Sequence, residues 1–440
     1  MNSYDQMQTN TSIRIKKMII LSANDGSPVD KDKLNEKGFW DSINKRRDIR
    51  YQNRYEYADD EEEEANAAAV YCFVGFVANA NSDLLVVLPK CLETSDSDFE
   101  AKNLFEVIKK HAQRHPSLYI GPNASETYVS NYPFAAYFAI LNYYTRFGLY
   151  RENEVRVKRG LTRSISWKDT LKRSIKYVVD DEVAPFPVYG RKKQNKTSLI
   201  TACMAFALDY TASKFGAILH APLSGYDIPT EMVLNNRKGV IEYLIQERSA
   251  TFRDTKLNLL DALIDFYRKL NFGGSLYLKH YKFDLIWQDI AMEYLCSHYE
   301  GMETNGISLS VTPVARSHFE RKRFYPNLAN PRNFIDLDYY YIDRTSKEQL
   351  IFDAKYKTNL RELDYKQLAY HFILANRRND SGCEPLYRVT RSALILPGIQ
   401  TGSRLHFEMD PAFNKEFADM KIFEERIDMK RAIEYYVNGS

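Results

Sequence analysis

Cysteine is scarce and scattered. The five residues Cys72, Cys91, Cys203, Cys296 and Cys383 are odd in number and form no C-x-x-C pair. That argues against a disulfide framework or a thiolate zinc site and fits a reducing compartment. No G-x-x-x-x-G-K-S/T phosphate loop is present, so nucleotide hydrolysis is not expected of this chain itself. No uncharged apolar run is long enough to span a bilayer. The opening residues, MNSYDQMQTNTSIRIKK, lack the apolar centre of a signal peptide. The expectation is a cytoplasmic protein without membrane contact. An excess of one charge is also missing: the net charge is +3, so bulk electrostatics do not announce a polyanionic partner. Tryptophan is rare, at 3 residues, against 32 tyrosines. Tyrosine joins an apolar ring to a polar tip and suits cores as well as protein or nucleic-acid interfaces.

The 440 residues, 44% of them hydrophobic, suggest two or three domains. Three consecutive blocks are expected: a β-rich region for partner or DNA interaction over 1–195, a helical connector over 196–274, and a final domain over 275–440. In the first block Ser12 to Leu21 reads as a strand, Tyr51 to Asn66 as charged and irregular, and Ala68 to Val77 with Leu84 to Leu88 as a hairpin. Phe99 to Arg114 and Pro133 to Tyr150 read as helices, the first behind the capping oxygens of Ser95 to Asp98. Arg151 to Arg191 reads as short strands and turns, carrying Arg156, Lys158, Arg159, Arg163, Lys168, Lys172 and Arg173. Those cations suit a phosphate backbone or a solvated surface equally. Ser198 to Phe215, Met232 to Arg248 and Lys256 to Leu270 have helical periodicity, ended by Asn271 to Gly274. A helix is expected over Leu276 to His298, with Phe283, Trp287, Ile290 and Tyr294 on one face.

The stretch from Asn333 to Ala375 carries the chemistry. Its first run alternates, with Asp336, Asp338, Tyr340 and Ile342 on one side and Ile335, Leu337, Tyr339 and Tyr341 on the other. A polar turn leads to a second run in which Ile351, Asp353 and Lys355 share a face. Mg²⁺ prefers carboxylate oxygen and water and is commonly held by one or two carboxylates plus substrate phosphate. Asp338 and Asp353 are candidate metal ligands, with the carbonyl of Ala354, the residue between Asp353 and Lys355, facing the metal. Lys355 is placed to orient or deprotonate an attacking water, or to stabilise charge on the phosphate. The following helix sets Asp364, Gln367 and His371 on one face. As a bland alternative, the same charges would be the wet face of an edge strand.

At these residues the chain resembles the PD-(D/E)xK nuclease superfamily, and more narrowly the McrC-type nuclease subunits of McrBC restriction systems, LlaJI branch. The likeness rests on Asp353-Ala354-Lys355-Tyr356 followed by Asp364-Tyr365-Lys366-Gln367-Leu368-Ala369-Tyr370. Two further blocks resemble the family: Phe73 to Val77 with Leu85 to Lys90, and Gly160 to Thr170 with Pro185 to Tyr189. Where the family usually has Pro-Asp, this chain has Leu337-Asp338, which leaves Asp336 a rival metal ligand. Where the family often has W-E or F-E, this chain has Trp287-Gln288-Asp289, so Gln288 holds a metal-bound water, Asp289 or Glu293 is a substitute, or the position goes unused.

The resemblance implies an α+β protein with a restriction-endonuclease-like core, a mixed sheet flanked by helices, over about 275–440. It implies a Mg²⁺-dependent endonuclease, with Mn²⁺ able to substitute, that cuts double-stranded DNA. Asp338, Asp353, Lys355 and Gln367 would form its site. It also implies a separate AAA+ GTPase partner, bound through the amino-terminal part and stimulated by it. Two other readings stay open: a stand-alone type II-like restriction or repair endonuclease, and a DNA- or GTPase-binding scaffold with a degenerate site.

Overall fold

The computed structural model describes residues 20–52, 68–79, 83–93, 97–119, 124–162, 164–179, 182–216, 223–226, 235–270, 275–314, 317–378, 385–417 and 419–439. Most of the expected Ser12–Leu21 strand, the Tyr51–Asn66 segment beyond Gln52, the capping residues Ser95 and Asp96, Arg163, Cys383 and the stop at Asn271 to Gly274 therefore lie outside the described residues. Contacts divide the chain into two units, Met1–Tyr132 with Phe272–Ser440, and Pro133–Asn271.

Among the described residues the first unit contains two large sheets and two two-stranded ribbons, Ile49–Gln52 with Ala68–Tyr71 and Tyr299–Glu303 with Gly306–Leu309. The strands β1 (Ile20–Asn24), β2 (Val74–Ala78) and β3 (Leu84–Leu88) precede helix α1 (Ser97–Arg114). After them come β4 (Tyr128–Ser130), β5 (Leu276–His280) and helix α2 (Phe283–His298). The strand order is β1-β3-β2-β5-β4. The hairpin expected between Ala68–Val77 and Leu84–Leu88 is present only over Val74–Ala78, with Gly75 opposite Val87 and Ala78 opposite Leu84, whereas Ala68–Tyr71 is a separate strand paired with Ile49–Gln52. Gly75 has φ +151°, and a Cβ there would lie 2.1 Å from the Leu278 carbonyl oxygen. Only glycine lets β5 approach this closely.

The expected single helix from Leu276 to His298 is corrected to a strand and a helix. Residues 276–280 run antiparallel to both β2 and β4, and the helix begins at Phe283. The reason is tertiary: Lys279 is buried because its ammonium meets the buried Asp48 carboxylate at 2.5 Å, which fixes the segment as extended. This pairing also places 276–280 in one sheet with residues from the first hundred. The two units consequently divide the chain differently from the consecutive blocks 1–195, 196–274 and 275–440.

The second sheet is built from β6 (Glu320–Phe324), β7 (Ile335–Asp343), β8 (Glu348–Ala354), β9 (Val389–Gly398), β10 (Gly402–Glu408) and β11 (Lys421–Asp428). Helix α3 (Tyr365–Ala375) connects β8 to β9, and α4 (Met429–Asn438) closes the chain. The order is β6-β7-β8-β9-β11-β10, with β8, β9 and β11 mutually parallel and the remaining pairs antiparallel. The central strands are apolar on both sides, as burial under helices on both faces requires. Tyr339 donates to the Gln288 carbonyl of α2 at 2.9 Å, whereas its neighbour Tyr340 packs with Leu374 of α3. Successive side chains on a strand point oppositely, so the two helices cover opposite faces. The sequence pattern of Phe423 to Tyr436 reads as a closing helix, but the helix starts only at Met429. Residues 421–428 are claimed as a strand by pairing with β9 and β10.

In the second unit, helices Phe134–Phe147, Leu199–Phe215, Arg237–Ser249 and Asp254–Lys269 share a core that includes Phe138, Leu208, Leu244 and Leu263. Strand Glu152–Arg159 pairs with Tyr189–Lys196, and Ile175–Val179 with Glu182–Phe186, as two separate antiparallel ribbons. A helix, Trp167–Arg173, stands where only strands and turns were expected. Ser166 bonds the Asp169 carboxylate at 2.6 Å and starts it. Among the described residues, no helix is long and apolar enough to cross a membrane.

Candidate functional site

The site forms where β7, β8 and the start of α3 meet. A β-bulge in β7 sets its geometry. Glu320 of β6 is opposite Tyr340 and Lys322 is opposite Leu337, so Asp338 and Tyr339 together face the single residue Arg321. The extra residue reverses the alternation. Ile335 and Leu337 join Tyr340 and Ile342 in one apolar cluster, so the expected grouping of Asp338 with Tyr340 on one face is corrected. Bulges re-aim side chains in this way.

Asp338 lies against β8, where its Oδ2 accepts the Ala354 N–H at 2.9 Å. Asp353 is buried and holds two cations: Lys355 Nζ at 2.8 Å from Oδ2 and Lys366 Nζ at 3.2 Å from Oδ1. Lys355 also meets Asp364 at 2.6 Å. Asp364 is the N-cap of α3, accepting the Gln367 N–H at 2.8 Å, so helix capping and lysine placement share one carboxylate. Gln367 is wholly buried, and its amide nitrogen donates to the Ile351 carbonyl at 2.6 Å. That bond leaves the amide oxygen, Oε1, without a partner. His371 bonds Ser392 at 2.9 Å, and burial pushes its pKa down to about 4, leaving it neutral.

Burial raises the Asp338 pKa, and repulsion from Asp353 adds to this; the Ala354 N–H limits the rise. Burial works to lower the Lys355 pKa, but Asp353 and Asp364 outweigh it and the net direction is up. Lys355 is therefore an ammonium at neutral pH, suited to donating hydrogen bonds rather than taking a proton. Two carboxylates on adjacent strands, Asp338 bonded to the backbone at Ala354 and Asp353 one residue before it, offer oxygen donors only. Such a set fits a hard divalent cation.

The other sequence candidates fall elsewhere. Asp336 is exposed and paired with Arg323 of β6 at 2.6 Å. Asp289 bonds His115 at 2.6 Å and Arg321 at 2.9 Å. Glu293 pairs with Arg114 and, at 3.6 Å, with Lys110, both of α1. Sequence reasoning gave no role to Lys366, to Tyr356 or to His111 and His115. Tyr356 follows Lys355 directly, and its hydroxyl accepts the Lys90 N–H at 2.8 Å, tying the D-x-K strand to the loop after β3. The i,i+4 spacing of His111 and His115 was visible in the sequence; their partner lies 174 residues beyond His115.

Residues 73–303, more than half of the chain, match the family model described as LlaJI restriction endonuclease. The chain belongs to the LlaJI restriction endonuclease family. It is thus a restriction-system nuclease by family. The matched segment of this LlaJI-family chain ends before β7, so the acidic cluster lies outside it. No curated protein matches the chain. Among solved structures, a half-complex from a tetradecameric assembly of Thermococcus gammatolerans McrB AAA+ hexamers with bound McrC is a distant likeness. It has 12% identity over 95% of this chain and 98% of that one, with a TM-score of 0.38. The Thermococcus gammatolerans McrBC complex has 10% identity over 64% and 89%, with a TM-score of 0.24.

Proposed function

We propose that this LlaJI-family chain is a divalent-metal-dependent endonuclease subunit that cleaves double-stranded DNA and works with an AAA+ GTPase partner. The observation that carries the chemistry is the clustering of Asp338, Asp353, Lys355 and Gln367 on a mixed sheet flanked by helices, which this reading takes as a restriction-endonuclease-like PD-(D/E)xK core. Its support is the order α2-β7-β8-α3-β9 and the mixed sheet between the helices. Mg²⁺, or Mn²⁺ in its place, would be held by Asp338 and Asp353 with the Ala354 carbonyl. When bound it would supply charge neutralisation at the scissile phosphate and an activated water. Asp336 is the weaker choice of ligand, because Arg323 already pairs with it on the exposed side.

The protein's own groups do the rest. Lys355, fixed between Asp353 and Asp364, donates to the attacking water or to a phosphate oxygen and stabilises charge as the bond breaks. Lys366, half-exposed beside Asp353, neutralises the approaching backbone. The buried Gln367 fixes the start of α3 against β8 through the Ile351 carbonyl, and its amide oxygen is left without a partner.

The partner reading draws on the Pro133–Asn271 unit. Its ribbon 175–186 exposes Ile175, Tyr177, Val178, Val183 and Phe186, with Trp167 and Leu171 on the preceding helix also exposed. Contiguous exposed apolar residues mark an interaction surface. In this reading the partner- and DNA-facing part of 1–195 is the segment from Pro133, residues 196–271 complete that unit as a helical connector, and 275–440 supply the nuclease. The test is plasmid cleavage with Mg²⁺, with and without the AAA+ protein encoded beside this chain plus GTP. Cleavage only with the partner, lost in Asp353→Ala, is the expected result. Cleavage by the chain alone would make it a self-sufficient endonuclease. Stimulated GTP hydrolysis with no cleavage would make it a scaffold.

A further inference from the structure

Two histidines and an aspartate meet away from the carboxylate cluster. His111 is in the last turn of α1, and His115 follows with its N–H on the His111 carbonyl at 2.9 Å. The spacing stacks the rings, whose centroids are 4.7 Å apart. Asp289 projects from α2 so that its Oδ2 is 2.6 Å from His115 Nε2 and 3.8 Å from His111 Nε2. All three ligand atoms lie within 4.8 Å of one another.

From this geometry we infer a transition-metal site, Zn²⁺ being the best fit, formed by His111, His115 and Asp289. A tetrahedral zinc ion has Zn–N of about 2.0–2.1 Å and Zn–O of about 2.0–2.2 Å, so its donors sit about 3.3 Å apart. The observed separations of 2.6 and 3.8 Å bracket that value. The orientation of His111 is already set: its Nδ1 is 2.7 Å from the Tyr119 hydroxyl, the outer partner that a ligating imidazole requires. With Nδ1–H donating to that oxygen, the Nε2 lone pair faces the Asp289 carboxylate, two acceptors that a cation between them would satisfy. The neighbouring His280 is wholly buried, its ring 6.1 Å from that of His111, and neither of its nitrogens has a partner. This corner of the core carries more imidazole nitrogen than protein groups to receive it. His115 is half-exposed and leaves the fourth position open to solvent.

The donor set separates this site from the nuclease site. Imidazole nitrogen selects zinc, cobalt or nickel over magnesium, whereas the Asp338–Asp353 cluster offers only oxygen. Its consequence is mechanical. Zinc would join α1 to α2, and α2 backs the bulged strand through the Gln288 carbonyl that receives Tyr339. It would also compete with Arg321 for Asp289, and Arg321 is the residue opposite the bulge.

The experiment uses the full-length chain, stripped with a chelator and then titrated with Co²⁺ and with Zn²⁺. One equivalent with the visible absorption of tetrahedral cobalt is expected, together with a zinc-dependent rise in Tm. His115→Ala and Asp289→Asn should each weaken binding by more than the about 10–100-fold that an outer partner alone costs. Asp353→Ala should leave it unchanged. Binding that survives both substitutions, fails in wild type, or disappears in Asp353→Ala would overturn the assignment. X-ray absorption at the zinc edge of the wild-type chain decides the matter if a variant fails to fold. Imidazole scattering supports the site, and its absence removes it.

Discussion

The two units of the chain differ in where they depart from ordinary burial. Among the described residues every buried charged side chain lies in the first, while exposed apolar side chains occur in both and crowd along one ribbon of the second. In the unit that joins Met1–Tyr132 with Phe272–Ser440, charged and polar groups are inside: Asp353, Gln367, His371, Glu424 and Glu425 are all buried. In the Pro133–Asn271 unit, apolar groups are outside: Leu161 is 81% exposed, Val178 71% and Phe186 62%. Both arrangements cost stability, the first by desolvation and the second by leaving apolar surface in water. A buried polar cluster and an exposed apolar patch are the informative exceptions on a protein. Here they point to different tasks, chemistry in one unit and docking in the other.

The largest expected effect tests that division from both sides. Asp353→Ala removes the carboxylate that holds both Lys355 and Lys366, and DNA cleavage should fall by about 10³-fold or more. Stimulation of the partner's GTP hydrolysis should persist. The double substitution Val178→Asp with Phe186→Asp should do the reverse. Partner stimulation should fall by about 10-fold or more, as expected for losing a docking hot spot, with circular dichroism unchanged because these side chains support no core. If Asp353→Ala abolished stimulation as well, the two tasks would not be separable. If the double substitution left stimulation intact, the ribbon would not be the docking surface.

A smaller effect is expected within the site. Gln367→Leu keeps the volume but removes the amide that fixes α3 to the Ile351 carbonyl. Single-turnover cleavage should slow by about 10–100-fold, the usual cost of losing an outer partner. A rate equal to wild type would make Gln367 a core residue and nothing more.

Much of this cluster was legible in the sequence. D-x-K on one strand, an acidic residue on the preceding one and D-x-x-Q at a helix start are local patterns, and strand and helix periodicity places them. The parts that were not legible depend on partners distant in the chain. The bulge at Asp338–Tyr339 exists only in register with β6, a strand the sequence pattern did not mark. Residues 276–280 follow a helix-compatible apolar run and become a strand because β2 and β4 receive them. Residues 421–428 likewise read as helix until β9 and β10 pair with them. The His111–His115 spacing was on the page, but Asp289 gives it meaning only through folding.

The smallest expected effect separates buried charge that serves chemistry from buried charge that does not. Glu425 of β11 is 2% exposed; its carboxylate accepts the Ile307 N–H at 2.7 Å and the Ser403 hydroxyl. Burial raises its pKa from 4.5 to about 7, with those two bonds holding the rise in check. Below pH 4.5 both folded and unfolded states carry the proton, and folding bears no charge penalty. Between 4.5 and about 7 the folded state keeps a proton that the unfolded state releases, so stability falls as pH rises. At 1.36 kcal/mol per unit the full loss is on the order of 3 kcal/mol. Glu425→Gln preserves the shape and the bond from the Ile307 N–H, lets its amide N–H donate to Ser403 Oγ instead of accepting from it, and cannot titrate. Its Tm relative to wild type should therefore rise by a few degrees on going from pH 5 to pH 8, with cleavage unaffected. Parallel Tm curves would mean that the carboxylate ionises in the fold at no cost. Burial alone would then be a poor sign of stored electrostatic energy in this sheet, and the case for chemistry at Asp353 would rest on its lysines rather than on its depth.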